Sequence, residues 1–211
     1  YLRTFFSWCA EPGIEICEHS PMAGMKKPWN GEASRNRVFD DDEIAAIWKA
    51  ADGESDHPRA LIKLLLLTGK RKTALATMRR SEIDETGLWE PPQDLRRKRG
   101  NKRLHGIPLP TLARQIIGAL PPLQESDFVF PGKKEGQHLV PGTNIQRSIQ
   151  EASGVTDFFY HGLRHTMETR LAELRVPPHI RDIVLDHAPA RGAGAGYDHH
   201  HYREEMAEAL E

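Results

Sequence analysis

Apolar residues recur at helical spacing through most of this chain. Ile44, Ile47 and Trp48 fall on one face of a helix that would begin near Asp40. Asp40 and Glu43 have the spacing of a capping box, in which each side chain accepts a hydrogen bond from the backbone amide of the other residue. We therefore predict that a helix starts directly after Asp40.

Similar patterns predict helices along the rest of the chain. An apolar helix over residues 58–68 would end at Gly69, because glycine is the usual residue after a helix C-terminus. Further helices are predicted over residues 72–80, 110–119, 142–153, 161–174 and 178–185. A last amphipathic helix would begin near Tyr202 and place Met206, Ala207 and Leu210 on its apolar side.

Three short segments instead have the character of strands. They cover residues 87–91, 94–98 and 103–107, and Gly100-Asn101 would form the turn between the second and the third. The predicted fold class is therefore α+β, mainly α-helical with a small antiparallel β-sheet.

The chain is expected to contain two parts. Residues 1–9 resemble the end of a helix, and residues 10–37 are rich in Pro and Gly without periodicity, which is typical of a linker. A compact domain would begin at Val38 and run to residue 211. With 211 residues, 38% of them hydrophobic, the chain can form one substantial core.

Several cationic residues and one tyrosine form a set with a shared chemistry. A phosphodiester undergoing displacement gains negative charge on its non-bridging oxygens, and two guanidinium groups can meet that charge with directional hydrogen bonds. A phenol, whose ordinary pKa is about 10, needs such a cationic pocket to act as a nucleophile. A lysine or histidine can protonate the leaving 5′ oxygen. This set consists of Arg71, His161, Arg164, His187 and Tyr197, with a lysine between residues 96 and 103.

At these positions the sequence resembles the tyrosine recombinase family, the phage and prophage integrases. Residues 68–71 (TGKR) are similar to the family's first box with Arg71, and residues 161–166 (HGLRHT) to the second, with His161 and Arg164. Residues 185–187 (LDH) are similar to the third box and supply His187, and Tyr197 follows where the nucleophile is expected.

The resemblance implies a fold and a mechanism. The fold would be that of a tyrosine recombinase catalytic domain, and residues 1–37 would be the end of a core-binding domain plus the interdomain linker. The tyrosine would attack the scissile phosphate, form a 3′-phosphotyrosyl bond and free a 5′ hydroxyl that attacks a partner duplex. The resemblance implies neither a cofactor nor a catalytic metal.

The sequence departs from the family pattern at three places. Ala74 stands where the family has an acidic residue that helps to hold the site. The lysine of the family's hairpin corresponds to Lys98 in our assignment, and Lys102 stays an alternative because the turn is long. Residues 191–196 before Tyr197 are rich in glycine, which has more backbone freedom to lose on ordering.

Charge and cysteine content narrow the class of protein. The chain has 29 Lys and Arg against 30 Asp and Glu, so it is not basic overall, as many DNA-binding proteins are. Basic residues nevertheless cluster at 70–72, 79–80 and 96–103, which would allow one face to meet phosphates, although residues 96–103 alone could be a solvated hairpin tip.

Two cysteines imply no disulfide framework. No signal peptide and no membrane-spanning run are apparent, which favours a cytoplasmic protein.

Ordinary explanations exist for single members of the set. His161 and His165 are four residues apart, a spacing that can bind zinc, but the Glu of the H-E-x-x-H pattern is missing. Arg164 could form a surface ion pair with Glu168 at helical spacing. Tyr202 is a second candidate tyrosine, although its position at the start of the last helix favours a structural role.

We therefore predict the catalytic part of a site-specific DNA recombinase, a prophage or genomic-island integrase of the bacterial cytoplasm that is nucleoid-associated when bound to DNA. Its partners would be double-stranded attachment sites, further copies of itself on DNA with a tetramer as the candidate state, and accessory DNA-bending and directionality proteins. Two alternatives stay open: a type IB topoisomerase-like enzyme that relaxes DNA, and a DNA-binding module that does not cut.

Overall fold

The computed structural model of the chain describes residues 2–25, 37–91, 106–121, 126–187 and 200–211. The chain divides into two compact units, residues 1–35 and residues 36–211. In the first unit, helix α1 (Leu2–Cys9) is followed by turns. The carbonyl of Cys9 accepts hydrogen bonds from the amides of Ile16 and Cys17, which closes these turns onto the end of the helix.

The second unit is mainly helical. Its helices are α2 (Asp41–Ala51), α3 (Asp56–Thr68), α4 (Lys72–Ala76), α5 (Thr111–Gly118), α6 (Thr143–Ser153), α7 (Tyr160–Glu173), α8 (Pro178–Val184) and α9 (Arg203–Leu210). A short 3-10 helix covers Arg80–Glu82, and two strands, β1 (Leu88–Trp89) and β2 (Ile107–Pro108), pair antiparallel. This arrangement confirms the predicted α+β class.

Helix α2 begins as its sequence predicts. The Asp40 carboxylate accepts a hydrogen bond from the Glu43 amide at 2.9 Å, and the Glu43 carboxylate accepts one from the Asp40 amide at 3.0 Å, so both halves of the capping box are present. Arg37 donates to both Glu43 and Asp157. The cap thereby connects the start of the second unit to the loop that precedes α7.

The core of the second unit forms around α3, which packs against α2, α5 and α7. Leu61, Leu64 and Leu65 of α3 are buried. Phe39 is fully buried, and its backbone amide donates to the Thr166 hydroxyl of α7 at 2.9 Å. A side chain on Gly162 would approach the Phe39 ring to 2.8 Å, so glycine is the residue that lets the ring pack against α7 at this point.

The predicted helix over residues 72–80 is wrong in its second half. Helix α4 ends at Ala76, and the Thr77 hydroxyl donates to the carbonyls of Thr73 and Ala74 in its last turn. Arg79 is extended and forms a bridge with Phe128, and the Met78 carbonyl accepts a hydrogen bond from the Val129 amide at 2.9 Å. Long-range pairing thus overrides the local helical pattern.

The sheet is smaller than predicted where the structure describes it. Strand β1 lies within the predicted segment 87–91, whereas β2 begins at Ile107, at the end of the predicted segment 103–107. The predicted strand 94–98 lies outside the described residues. Residues 131 and 138 form an additional isolated bridge that the sequence pattern did not predict. In the described parts of the chain, no helix has the length and apolarity needed to cross a membrane.

The capping box leads to a stability prediction. Asp40→Ala removes the acceptor for the Glu43 amide and should lower the free energy of unfolding by about 1 kcal/mol. Urea denaturation followed by circular dichroism measures this loss. Asp42→Ala, an exposed position in the first turn of the same helix, is the matched control and should have a smaller effect. Equal losses in the two variants would contradict a specific role for the cap.

Candidate active site

Arg71 lies in the connection between α3 and α4. Helix α3 ends at Thr68, and the Gly69 that follows has a φ of 59°, in the left-handed region that favours glycine. A Cβ at Gly69 would also lie 2.8 Å from side-chain atoms of Leu185 and Met167, so the connection packs tightly against α7 and the end of α8. Two separate constraints therefore require glycine two residues before Arg71.

Arg164 projects from α7 toward the same connection. Its side chain is almost fully buried, and its guanidinium group donates to the Gly69 carbonyl at 2.9 Å and to the Leu185 carbonyl. A surface ion pair with Glu168, the ordinary explanation considered from the sequence, does not fit this burial. Arg164 instead joins the end of α3 to the end of α8.

The turn that follows α8 supplies the acceptor for the other arginine. Asp186 has a φ of 50°, and its carbonyl accepts a hydrogen bond from Arg71 Nη1 at 3.3 Å. The carbonyls of two consecutive residues, 185 and 186, thus receive one guanidinium group each. The structure therefore brings Arg71 and Arg164 together although 93 positions separate them in the sequence.

The two histidines of the predicted set lie beside these arginines. His187 follows the same turn, where its amide donates to the Asp182 carbonyl at 2.8 Å and its Nδ1 lies 3.4 Å from the Asp182 carboxylate. His161 lies in the first turn of α7, and its ring meets that of His165 edge to face, with 4.6 Å between ring centroids.

The electrostatics of His161 follow from its burial and its cationic neighbours. Partial burial of the ring lowers the pKa of His161 below its ordinary value, and the positive charges of His165, Arg164, Arg71 and His187 lower it further. A charge affects a neighbour's pKa in this way only over a short distance. His161 is therefore favoured as a neutral imidazole close to both arginines.

A buried ion pair, which the sequence interpretation missed, joins the residue before Arg71 to the turn after α8. Lys70 Nζ is 3.0 Å from the Asp186 carboxylate, and the lysine side chain is completely buried. Desolvation lowers the pKa of Lys70, while the Asp186 carboxylate acts in the opposite direction. The only signal in the sequence was that each residue directly precedes a motif residue, Arg71 or His187.

The remaining predicted site residues lie outside the described residues. They are the nucleophile candidate Tyr197 and the two lysine candidates, Lys98 and Lys102. Tyr202 is described and directly precedes α9, as predicted, with its ring 5.3 Å from the ring of His179 between centroids. Ala74, which stands where the resemblance would place an acid, packs against the core.

Comparison with known proteins decides the family. The model of the phage integrase family matches residues 37–204, which include every residue described above as part of the site. The chain belongs to the phage integrase family. Membership identifies it as a tyrosine-type site-specific recombinase and confirms the resemblance found in the motifs.

Solved structures show a similar fold. The chain is similar to an integrase from mycobacterium phage Brujita, with a TM-score of 0.62, 19% identity and coverage of 99% of this chain and 68% of that one. It is also similar to the XerH site-specific recombinase bound to difH substrate in a pre-cleavage complex. There the TM-score is 0.53, the identity is 17%, and the match covers 72% of this chain and 47% of the other. No curated protein matches the chain.

The positive charges around His161 lead to a prediction about how this residue titrates in the free protein. Its pKa should lie below the ordinary histidine value, and Arg71→Gln should raise it because one of the opposing positive charges is removed. Titration of the histidine ring signals by NMR, without DNA, measures both values. Arg147→Gln, on the exposed surface of α6, is the control and should leave the His161 pKa unchanged. A His161 pKa that does not respond to Arg71→Gln would contradict the proximity of these groups.

Proposed function

We propose that this chain is the catalytic part of a prophage or genomic-island integrase that cuts and rejoins DNA through a 3′-phosphotyrosyl intermediate. The observation that supports this most strongly is the convergence of Arg71 and Arg164 on the consecutive carbonyls of residues 185 and 186. Such an arrangement holds two guanidinium groups in fixed orientations within one small region.

Arg71 and Arg164 bind the scissile phosphate in this proposal. Their contacts with the carbonyls of residues 69, 185 and 186 are to neutral acceptors, which do not cancel a positive charge. As the phosphorus becomes five-coordinate, negative charge grows on its non-bridging oxygens, and preoriented guanidinium groups stabilise that charge without reorganising. The same positive field favours the phenolate form of a nearby tyrosine.

Tyr197 is the nucleophile. Its phenolic oxygen attacks the phosphorus, the bond from phosphorus to the 5′ oxygen breaks, and the protein becomes joined to the 3′ phosphate. The phosphoester bond energy is conserved in this link, so rejoining needs no nucleotide cofactor. The freed 5′ hydroxyl of a partner strand then attacks the phosphotyrosine and releases the enzyme.

Lys98 is the proposed general acid, and His161 and His187 assist the proton transfers. A protonated lysine can give the departing 5′ oxygen its proton. The lowered pKa of His161 favours the neutral imidazole, which can accept the phenolic proton as Tyr197 attacks. The Asp182 carboxylate lies close enough to His187 Nδ1 to orient that ring toward the phosphate through its other nitrogen.

The partners follow from this chemistry. The substrate is duplex DNA at attachment sites, and joining two duplexes requires several copies of the chain, with a tetramer as the proposed assembly. Accessory DNA-bending and directionality proteins, and action in the bacterial cytoplasm on nucleoid DNA, complete the proposal.

The nucleophile is tested by covalent capture. The unchanged protein is incubated with a pool of nicked duplexes of randomised sequence, in which the cleaved fragment diffuses away and leaves the protein trapped on DNA. We expect adducts that resist denaturation, and their complete loss in Tyr197→Phe. Tyr202→Phe, the matched control at the start of α9, should still form adducts. If the unchanged protein formed none, or if Tyr197→Phe still formed them, the proposed function would be wrong.

The general acid is tested by changing the leaving group. Lys98→Ala should lose cleavage of a captured duplex and regain it when sulfur replaces the 5′ bridging oxygen, because a thiolate leaves without needing a proton. Gel analysis of the covalent adduct follows both reactions. Lys102→Ala is the matched control, which should cleave the ordinary duplex. If the sulfur-substituted duplex restored cleavage by Lys102→Ala but not by Lys98→Ala, Lys102 would be the general acid.

A further inference from the structure

We propose that Lys70 and Asp186 are positioning residues that set the orientation of Arg71 and the place of His187. The inference rests on the proposed function, because it assigns these two residues to the same site. Neither is proposed to touch the substrate, since the Lys70 side chain is completely buried and that of Asp186 is mostly buried.

The first argument comes from connectivity. Lys70 directly precedes Arg71, and Asp186 directly precedes His187. Their ion pair, with 3.0 Å between Nζ and the carboxylate oxygen, therefore links the two backbone segments that carry a proposed phosphate ligand and a proposed proton-transfer residue. A buried ammonium group is unfavourable without a partner of opposite charge, so Lys70 holds Asp186 in place.

The second argument comes from backbone conformation. Asp186 has a φ of 50°, in the left-handed region that aspartate and asparagine enter more readily than other residues with a Cβ, but less readily than glycine. A conformation of this kind persists where other contacts impose it. The contact of its carboxylate with Lys70 is such a contact, and in this conformation the Asp186 carbonyl accepts the hydrogen bond from Arg71.

The third argument is electrostatic. Lys70 pairs with Asp186, in the turn whose carbonyls accept hydrogen bonds from Arg71 and Arg164, so three cations lie close together. Asp186 offsets the charge of Lys70 at this point. An acid paired with the buried lysine lowers the repulsion among these three cations.

The inference is tested with a charge-free double variant, Lys70→Met/Asp186→Asn. Methionine fills the space of the lysine chain, and asparagine tolerates the left-handed conformation. Because both charges are removed together, no unpaired charge is left buried. Using a duplex captured by the unchanged protein, we expect single-turnover cleavage to fall on the order of 10²-fold, as misplaced catalytic groups do. The Kd for the same duplex should not change, because both arginines keep their charges.

The matched control is the ion pair between Lys63 and Asp52, which has the same residue types at 2.5 Å but lies nearer the surface. Lys63→Met/Asp52→Asn should cleave at the rate of the unchanged protein. Thermal unfolding of both double variants reports whether each is folded under the assay conditions. A fall in cleavage that merely matched a fall in the folded fraction would overturn the positioning role.

A spectroscopic measurement on the free protein tests the inference without cleavage. The guanidinium NMR signals of Arg71 should show restricted rotation in the unchanged protein and faster rotation in Lys70→Met/Asp186→Asn. Arg164 should stay restricted, because it bonds to the carbonyls of residues 69 and 185. If the unchanged protein formed no covalent adduct with DNA, the proposed function would be wrong. The NMR measurement on the free protein would still test the positioning role. Unchanged Arg71 rotation, or unchanged cleavage, would overturn it.

Discussion

The site depends on the carbonyl groups of one short turn after α8. Those of Leu185 and Asp186 accept hydrogen bonds from Arg164 and Arg71, and the Gly69 carbonyl accepts a second bond from Arg164. An arginine side chain has several rotatable bonds, and ordering it costs entropy that such contacts offset in advance. Because both acceptors belong to one turn, the two guanidinium groups are fixed relative to each other as well as to the fold.

Neutral acceptors matter because the proposed substrate is an anion. A carboxylate placed against Arg71 or Arg164 would form a strong ion pair that a phosphate would have to displace. The carboxylate of Asp186, which belongs to this turn, contacts Lys70. The net charge of the chain, -1, therefore says little about the electric field at the site. The positions of the charged groups around the site determine the field that an incoming phosphate meets.

Much of the fold could be predicted from the sequence because local chemistry determines it. The capping box at Asp40 and the glycine after α3 specify helix ends by their own hydrogen bonds and backbone angles, and motif spacing identified Arg71 and Arg164. Contacts between distant segments could not be predicted in this way. Helix α4 ends early because residue 78 pairs with residue 129, and Lys70 pairs with a residue 116 positions away. Hydrophobic periodicity contains no information about either partner.

The arrangement also separates binding from chemistry. The contacts that orient Arg71 and Arg164 come from the segments 69–71, 161–165 and 185–187, all held by the packing of α3, α7 and α8. In the proposed function, the phenol of Tyr197 supplies the bond that forms, whereas the folded core supplies the cationic surroundings that make its attack possible. Damage to the turn after α8 would affect every step at once, because both arginines and His187 depend on it.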